Sequence, residues 1–141
     1  MNYLLDTCVI SEYVKKKPNQ KVIQWLDEKE KDSLFISILS IGEIRKGIIK
    51  IQERQPQRYQ KLIQWIETVE LRFSERIINL DYNVINGWAE ICGQCEAKGQ
   101  KLPIMDSLIA ATAYQYNLIL VTRNITDFQF SLVQVFNPIF R

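Results

Sequence analysis

Tyr3-Leu4-Leu5-Asp6-Thr7-Cys8-Val9-Ile10 sets a short apolar run directly against a carboxylate. Runs of the same character recur as Leu34-Phe35-Ile36, Ile77-Ile78-Asn79-Leu80, Leu118-Ile119-Leu120-Val121 and residues 133–136. Each is too apolar for a strand with one wet face, so they read as strands of a parallel sheet covered on both sides. Stretches with helical spacing separate them. Asp81 can N-cap a helix whose Val84, Ile85, Trp88, Ile91, Cys92 and Cys95 follow the 3.6-residue period and which ends at Gly99. Pro103 opens another, with Met105, Leu108, Ile109, Thr112 and Ala113 on one face. A short helix carrying Ile23, Trp25 and Leu26 follows Asn19, and residues 41–51 and 59–73 make two more, parted near Pro56. Strands alternating with helices predict an α/β fold: a parallel sheet of about five strands with helices on both faces. No linker, repeat or low-complexity stretch divides the chain, so residues 1–141 are expected to form one domain.

The 141 residues are 47% apolar and 24% charged, ordinary for one compact domain that buries roughly two thirds of its unfolded surface. Eighteen Lys and Arg against 16 Asp and Glu leave a net charge of +2, too small for bulk attraction to nucleic acid. The chain has no His, which excludes Ser-His-Asp and Cys-His nucleophilic sites, His general bases and imidazole zinc sites. Three Cys are too few for a disulfide scaffold, and the first ten residues carry no Lys or Arg ahead of their apolar stretch. A reducing, cytoplasmic setting is expected. The longest uncharged run, residues 107–122, is too short and too polar to span a bilayer, so no membrane association is expected.

A few acids stand out because core-forming residues frame them: Asp6 after the first strand, Glu43 in Ser40-Ile41-Gly42-Glu43-Ile44, and Asp106 in Ile104-Met105-Asp106-Ser107-Leu108. Asp127, just past the fourth strand, can reach the same end of the sheet. A carboxylate in apolar surroundings costs several kcal/mol unless it is paired, hydrogen-bonded or bound to a cation. In an open parallel sheet the loops at the carboxyl ends of the strands meet at one crevice, and Asp6 falls at such an end. Asp6, Asp106 and Asp127 can alternatively serve as helix caps or first-turn and turn residues. That explains Glu43 poorly, because Ser40 or a neighbour already caps its helix. Three or four acids without His form a hard-oxygen site suited to Mg²⁺ or Mn²⁺.

Five segments, in order, resemble the successive motifs of PIN-domain proteins of the VapC toxin type. They are Tyr3-Leu4-Leu5-Asp6-Thr7-Cys8-Val9-Ile10-Ser11-Glu12, Ser40-Ile41-Gly42-Glu43-Ile44-Arg45-Lys46-Gly47-Ile48, Leu102-Pro103-Ile104-Met105-Asp106-Ser107-Leu108-Ile109-Ala110-Ala111-Thr112-Ala113, Val121-Thr122-Arg123-Asn124-Ile125-Thr126-Asp127-Phe128 and Phe136-Asn137-Pro138. The resemblance implies a Mg²⁺- or Mn²⁺-dependent endoribonuclease, with Asp6, Glu43 and Asp106 in the positions of the metal-holding acids. Some relatives carry Asp where this chain has Asn124, which leaves Asp127 as the nearest carboxylate for the fourth position. Cys8 departs from the Asn usual after Asp-Thr. Thr7, Ser40 and Thr122 would orient the acids through their hydroxyls. The partners implied are an RNA substrate, a VapB-like antitoxin and a second copy of the chain in a homodimer, with DNA reached only indirectly through the antitoxin. The apolar helices flanking Trp25 and residues 41–51 would offer the antitoxin a groove. A non-catalytic interaction module and a small Mg²⁺ phosphatase are the competing classes. The phosphatase would need Asp-x-Asp, and Cys8 occupies the second place.

Lys46, Lys50, Arg54 and Arg58 are spaced four apart, and residues 45–61 hold six basic residues against Glu53 alone. On a helix this makes one basic stripe, either a solvated face or an RNA-binding phosphate track beside the crevice, with Pro56 positioned to break it. Cys92-Gly93-Gln94-Cys95 is a C-x-x-C that follows an apolar stripe mid-helix, so core packing is expected over redox chemistry. Trp25, Trp65 and Trp88 fall on apolar helical faces, expected in the core or a subunit interface.

Overall fold

The structure, a computed structural model, describes residues 1–128 and 133–140, with the side chains of Asp127 and Phe140 outside the description. Five parallel strands, β1 (Tyr3–Leu5), β2 (Leu34–Ser37), β3 (Ile77–Ile78), β4 (Ile119–Val121) and β5 (Val135–Phe136), lie in the order β3-β2-β1-β4-β5. Six helices connect them: α1 (Thr7–Ile10), α2 (Gln20–Glu28), α3 (Ile38–Lys50), α4 (Pro56–Arg72), α5 (Tyr82–Ala97) and α6 (Ile104–Gln115). The third strand is shorter than its apolar run, because Asn79 and Leu80 leave the sheet to lead into α5.

Alternation along each strand feeds two cores. Tyr3, Leu5, Leu34, Ile36 and Val121 face the side covered by α2, α3 and α4, where Val22, Trp25, Leu26, Ile41, Ile44, Ile48 and Ile66 are buried. Leu4, Phe35, Ile78 and Leu120 face α6 through Ile109, Ala110 and Ala113. The fifth helix packs on α6 through Val84, Ile91 and Ala111. Trp25 is a core residue, edge-on to Tyr3 at 5.0 Å and tilted against Phe136 at 5.3 Å. Trp65 and Trp88 are half-buried at the edges of two cores. Cys95 is buried and Cys92 half-buried, both as free thiols.

Chain order crosses the sheet in two directions. From β1 the chain moves outward to β2 and β3, then returns to the other side of β1 for β4 and β5. The β1–β4 pair, in register Tyr3↔Ile119, Leu4↔Leu120 and Leu5↔Val121, is therefore the switch point, where the loops diverge and leave a crevice. Because only residues 116–118 join α6 to β4, α6 runs back along the sheet and its N-terminus lies at the carboxyl edge.

Local signals set the helix ends. Asp81 accepts from Val84 N–H at 2.8 Å and Asn19 from Lys21 N–H at 3.0 Å, as caps. Ser37, one turn before Ser40, caps α3 by accepting from Leu39 N–H at 3.0 Å, which leaves Ser40 buried inside the helix. Pro56 is the first residue of α4, where its missing N–H costs nothing. Gly99, at φ +81°, closes α5 with Gln100 N–H on Cys95 C=O at 2.8 Å and its own N–H on Glu96 C=O at 3.0 Å. Glycine is needed there, whereas Gly93 sits exposed in the middle of α5 with open space where a Cβ would stand. The two glycines should therefore respond to alanine with opposite signs. Gly93→Ala should stabilise the protein by about 0.5–1 kcal/mol and Gly99→Ala destabilise it by about 1 kcal/mol, measured by urea denaturation; equal signs would contradict the assigned helix end.

Candidate functional site

Asp6 is the residue at which β1 becomes α1. Its N–H continues the β1–β4 pairing onto Val121 C=O at 2.9 Å, and its C=O accepts the first helical bonds from Val9 and Ile10. The carboxylate is 6% exposed. Oδ1 accepts from Thr7 N–H at 2.8 Å, and Oδ2 accepts from the fully buried Thr122 hydroxyl at 2.8 Å and more weakly from the Cys8 thiol at 3.7 Å. Thr122 Oγ1 itself accepts from Asn124 N–H at 3.1 Å, so its proton is free to point at Asp6. Burial pushes the Cys8 thiol up; the Arg123 backbone N–H opposes that, while the Asp6 charge adds to it. Cys8 is a neutral donor to Asp6.

Thr7 carries the connection to α3. Its hydroxyl oxygen lies 2.8 Å from Glu43 Oε1 and 3.0 Å from Ser40 Oγ. A hydroxyl has one proton, which goes to the carboxylate, so Ser40 supplies the proton of the other bond. Asp6 and Glu43 thus flank Thr7, one on its N–H and one on its side chain. Among the described residues, the ion pairs involve neither of these acids.

Asp106 occupies the first turn of α6, at the same edge of the sheet. That turn is pinned by Ser107, whose hydroxyl donates to Ile104 C=O at 2.8 Å and accepts from Trp88 Nε1 at 2.9 Å. Its neighbour Met105 shares a groove of about 630 Å³ with Glu43, Lys46 and Lys50. The groove thus has Glu43 on one wall and the turn bearing Asp106 on the other. Among the described residues no three Asp, Glu or Cys side chains converge tightly enough to be a ready-made metal cluster. The side chain of Asp127 lies outside the described residues, and Asn124 is exposed on the loop after β4.

Four basic residues expected on one stripe divide. Lys46 and Lys50 line the groove, whereas α3 ends at Lys50. Arg54 stands in the turn that follows and Arg58 in the first turn of α4, beyond the break at Pro56. A second, apolar groove of about 260 Å³ lies between the first motif and α4, lined by Leu5, Ile10, Tyr13, Trp65, Val69 and Phe73.

Glu12 escapes sequence reasoning because three lysines follow close behind it and make it look solvated, although it closes the same motif as Asp6. It is 1% exposed. Oε1 accepts from Asn19 N–H at 2.7 Å, and Oε2 pairs with Lys15 at 3.2 Å and Arg123 at 3.3 Å. Burial alone would raise it, but the Asn19 N–H, Lys15 and Arg123 outweigh burial and hold Glu12 below the ordinary glutamate range.

Fold and site together define a parallel α/β protein with Asp6 at the end of β1, joined through Thr7 to Glu43 on α3. Residues 3–129 match the PIN domain family, and the chain belongs to it. It is 33% identical over 137 residues to Toxin FitB of Neisseria gonorrhoeae, covering 96% of both chains. It is 26% identical over 136 residues to VapC ribonuclease Y4jK of Sinorhizobium fredii, again over 96% of each. Among solved structures, FitAcB from Neisseria gonorrhoeae superimposes with a TM-score of 0.77 at 32% identity, covering 96% of this chain and 97% of that one.

The depressed Glu12 makes an acid-stability prediction. A carboxyl with a lowered folded value contributes stability above pH 4.5, the ordinary glutamate value, and loses that contribution as pH falls through the folded value. Glu12→Gln should therefore be less stable than wild type at neutral pH, with the difference shrinking as pH falls below 4.5. Denaturant midpoints from neutral pH downward measure it; a constant difference would contradict the ion-paired assignment.

Proposed function

We propose that this chain is a toxin of the VapC type, an endoribonuclease that depends on Mg²⁺ or Mn²⁺ and is silenced by a VapB-like antitoxin. The observation that carries the reading is the buried Asp6 carboxylate, held on both oxygens by neutral donors and joined through Thr7 to Glu43. Membership in the PIN family and likeness to proteins named as a toxin and as a VapC ribonuclease support it.

The donor set suits a hard cation. It offers carboxylate and hydroxyl oxygens, and the nearby sulfur of Cys8 is a protonated thiol. Mg²⁺ is commonly held by one or two carboxylates and completes its shell with water and substrate oxygens, so a pair of acids facing a third across a groove fits it better than zinc, which asks for a closed cluster of nitrogen and sulfur. Asp6, Glu43 and Asp106 would hold the ion, with Asp127 or Asn124 at the fourth position. When bound, such an ion supplies Lewis-acid charge for phosphodiester hydrolysis.

The chain's own groups do the rest. Thr122, the Thr7 N–H and Cys8 fix the plane of Asp6, while Thr7 and Ser40 fix Glu43 by Oε1 and leave Oε2 to accept a proton from water. Lys46 and Lys50 draw the RNA backbone along the groove, with Arg54 and Arg58 extending the track past the break. An antitoxin segment with apolar side chains would dock in the groove between Tyr13 and Trp65 and bring a basic residue to the acids. In this reading the toxin works in the cytoplasm as a homodimer and meets DNA through its antitoxin. No described helix is long and apolar enough to cross a membrane.

Incubating the purified protein with total RNA, with and without Mg²⁺ or Mn²⁺, followed by end mapping, tests the proposal. Cleavage at defined sites should require the ion, and undiminished cleavage in excess EDTA would contradict the metal assignment. In the same assay, replacing Lys46 and Lys50 by Ala should lower the log-log salt slope of RNA binding by roughly 0.7 for each phosphate that is no longer neutralised, with little change at saturating RNA. An unchanged slope would make them a solvated face.

A further inference from the structure

Among the described residues, Glu12 is a buried carboxylate for which the proposed chemistry has no use. A buried acid costs several kcal/mol unless its charge is compensated, and Glu12 recovers that cost through Asn19, Lys15 and Arg123. Lys15 and Asn19 are its neighbours in sequence. Arg123 is not: it follows Thr122, whose hydroxyl holds Asp6. Asp6 and Glu12 stand at opposite ends of the first motif and contact adjacent residues, 122 and 123, of the loop after β4. The loop is thus pinned to the motif at two points. Just after them the Asn124 N–H bonds back to Thr122 Oγ1, which leaves the hydroxyl proton to point at Asp6.

We propose that Glu12 and Arg123 are positioning residues whose ion pair fixes the loop after β4 so that Thr122 presents its hydroxyl to Asp6. The effect on the acids rests on the functional reading above; the effect on the loop does not. With Arg123 released, the described start of the loop loses its ion pair to the first motif, and Thr122 is held there by Asp6 and, more weakly, by Cys8. Thr122 can then rotate its hydroxyl away, and Asp6 Oδ2 loses its stronger donor, keeping the weaker Cys8 thiol. Lys15 provides an internal control, since it pairs with the same Oε2 but is not attached to the loop.

Arg123→Met, Glu12→Gln, their double variant and Lys15→Met separate the two roles. In metal-free protein, hydrogen exchange at the Asn124 amide should speed up about tenfold in Arg123→Met and Glu12→Gln, no further in the double variant, and not at all in Lys15→Met. Mn²⁺ affinity, measured by calorimetric titration of the same proteins, should fall about tenfold in the same pattern, and Arg123→Lys should recover part of the loss. Arg123 is partly exposed, so its variants remain informative even where Glu12→Gln unfolds. Unchanged Asn124 exchange in Arg123→Met, or an equal effect of Lys15→Met, would overturn the proposal. If wild type bound no Mn²⁺ while the exchange pattern held, the positioning pair would stand and the metal reading of the site would fall.

Discussion

Everything at the carboxyl edge of this sheet turns on how one buried carboxylate, that of Asp6, is held in place. An isolated ion in that position would be costly, and the fold meets the cost with donors delivered from two directions. The Thr7 N–H comes from the helix that Asp6 itself starts; the Thr122 hydroxyl comes from the neighbouring strand. The second donor is available only because β4 lies beside β1, in parallel and with Leu5 level with Val121. Strand order is thereby tied to chemistry. A sheet in which β4 joined the outer edge beside β3 would leave Oδ2 without its threonine.

The remaining acids are placed by the same economy of contacts. Ser37 ends β2 and caps α3, which turns Ser40 and Glu43 toward Thr7. Trp88 and Ser107 hold the first turn of α6, where Asp106 stands. Each helix that bears a candidate ligand is therefore anchored by a polar bond close to that ligand, while its opposite face is fixed by apolar packing. Among the described residues no ion pair engages Asp6 or Glu43, while Lys46 and Lys50 line the same groove as Glu43.

Much of this was legible in the sequence, for identifiable reasons. Short apolar runs such as Leu4-Leu5 and Leu120-Val121 mark buried parallel strands because no residue in them tolerates water. Asp6 and Glu43 are conspicuous because apolar neighbours frame them. What could not be read is pairing at a distance. Thr122 lies 116 positions from Asp6, and only the strand order brings them together. Glu12 sits between Ser11 and Tyr13 ahead of three lysines and looks solvated, yet a partner beyond β4 draws it inside. Ser40 carries the residue type of a cap, but Ser37 fills the cap position because β2 runs one residue beyond its apolar core. The basic residues follow a helical period across Pro56, where the backbone starts a new helix and the stripe ends.

The most direct test of the central claim is a single-atom-scale change at Asp6. Asp6→Asn keeps the shape of the side chain and removes its charge, so the purified variant should still unfold in one cooperative thermal transition, with a midpoint somewhat below that of wild type because an amide NH2 replaces one accepting oxygen. Its rate of Mn²⁺-supported RNA cleavage should fall by two or more orders of magnitude, about 3 kcal/mol or more in the barrier. A folded Asp6→Asn protein that cleaved RNA at the wild-type rate would contradict the account.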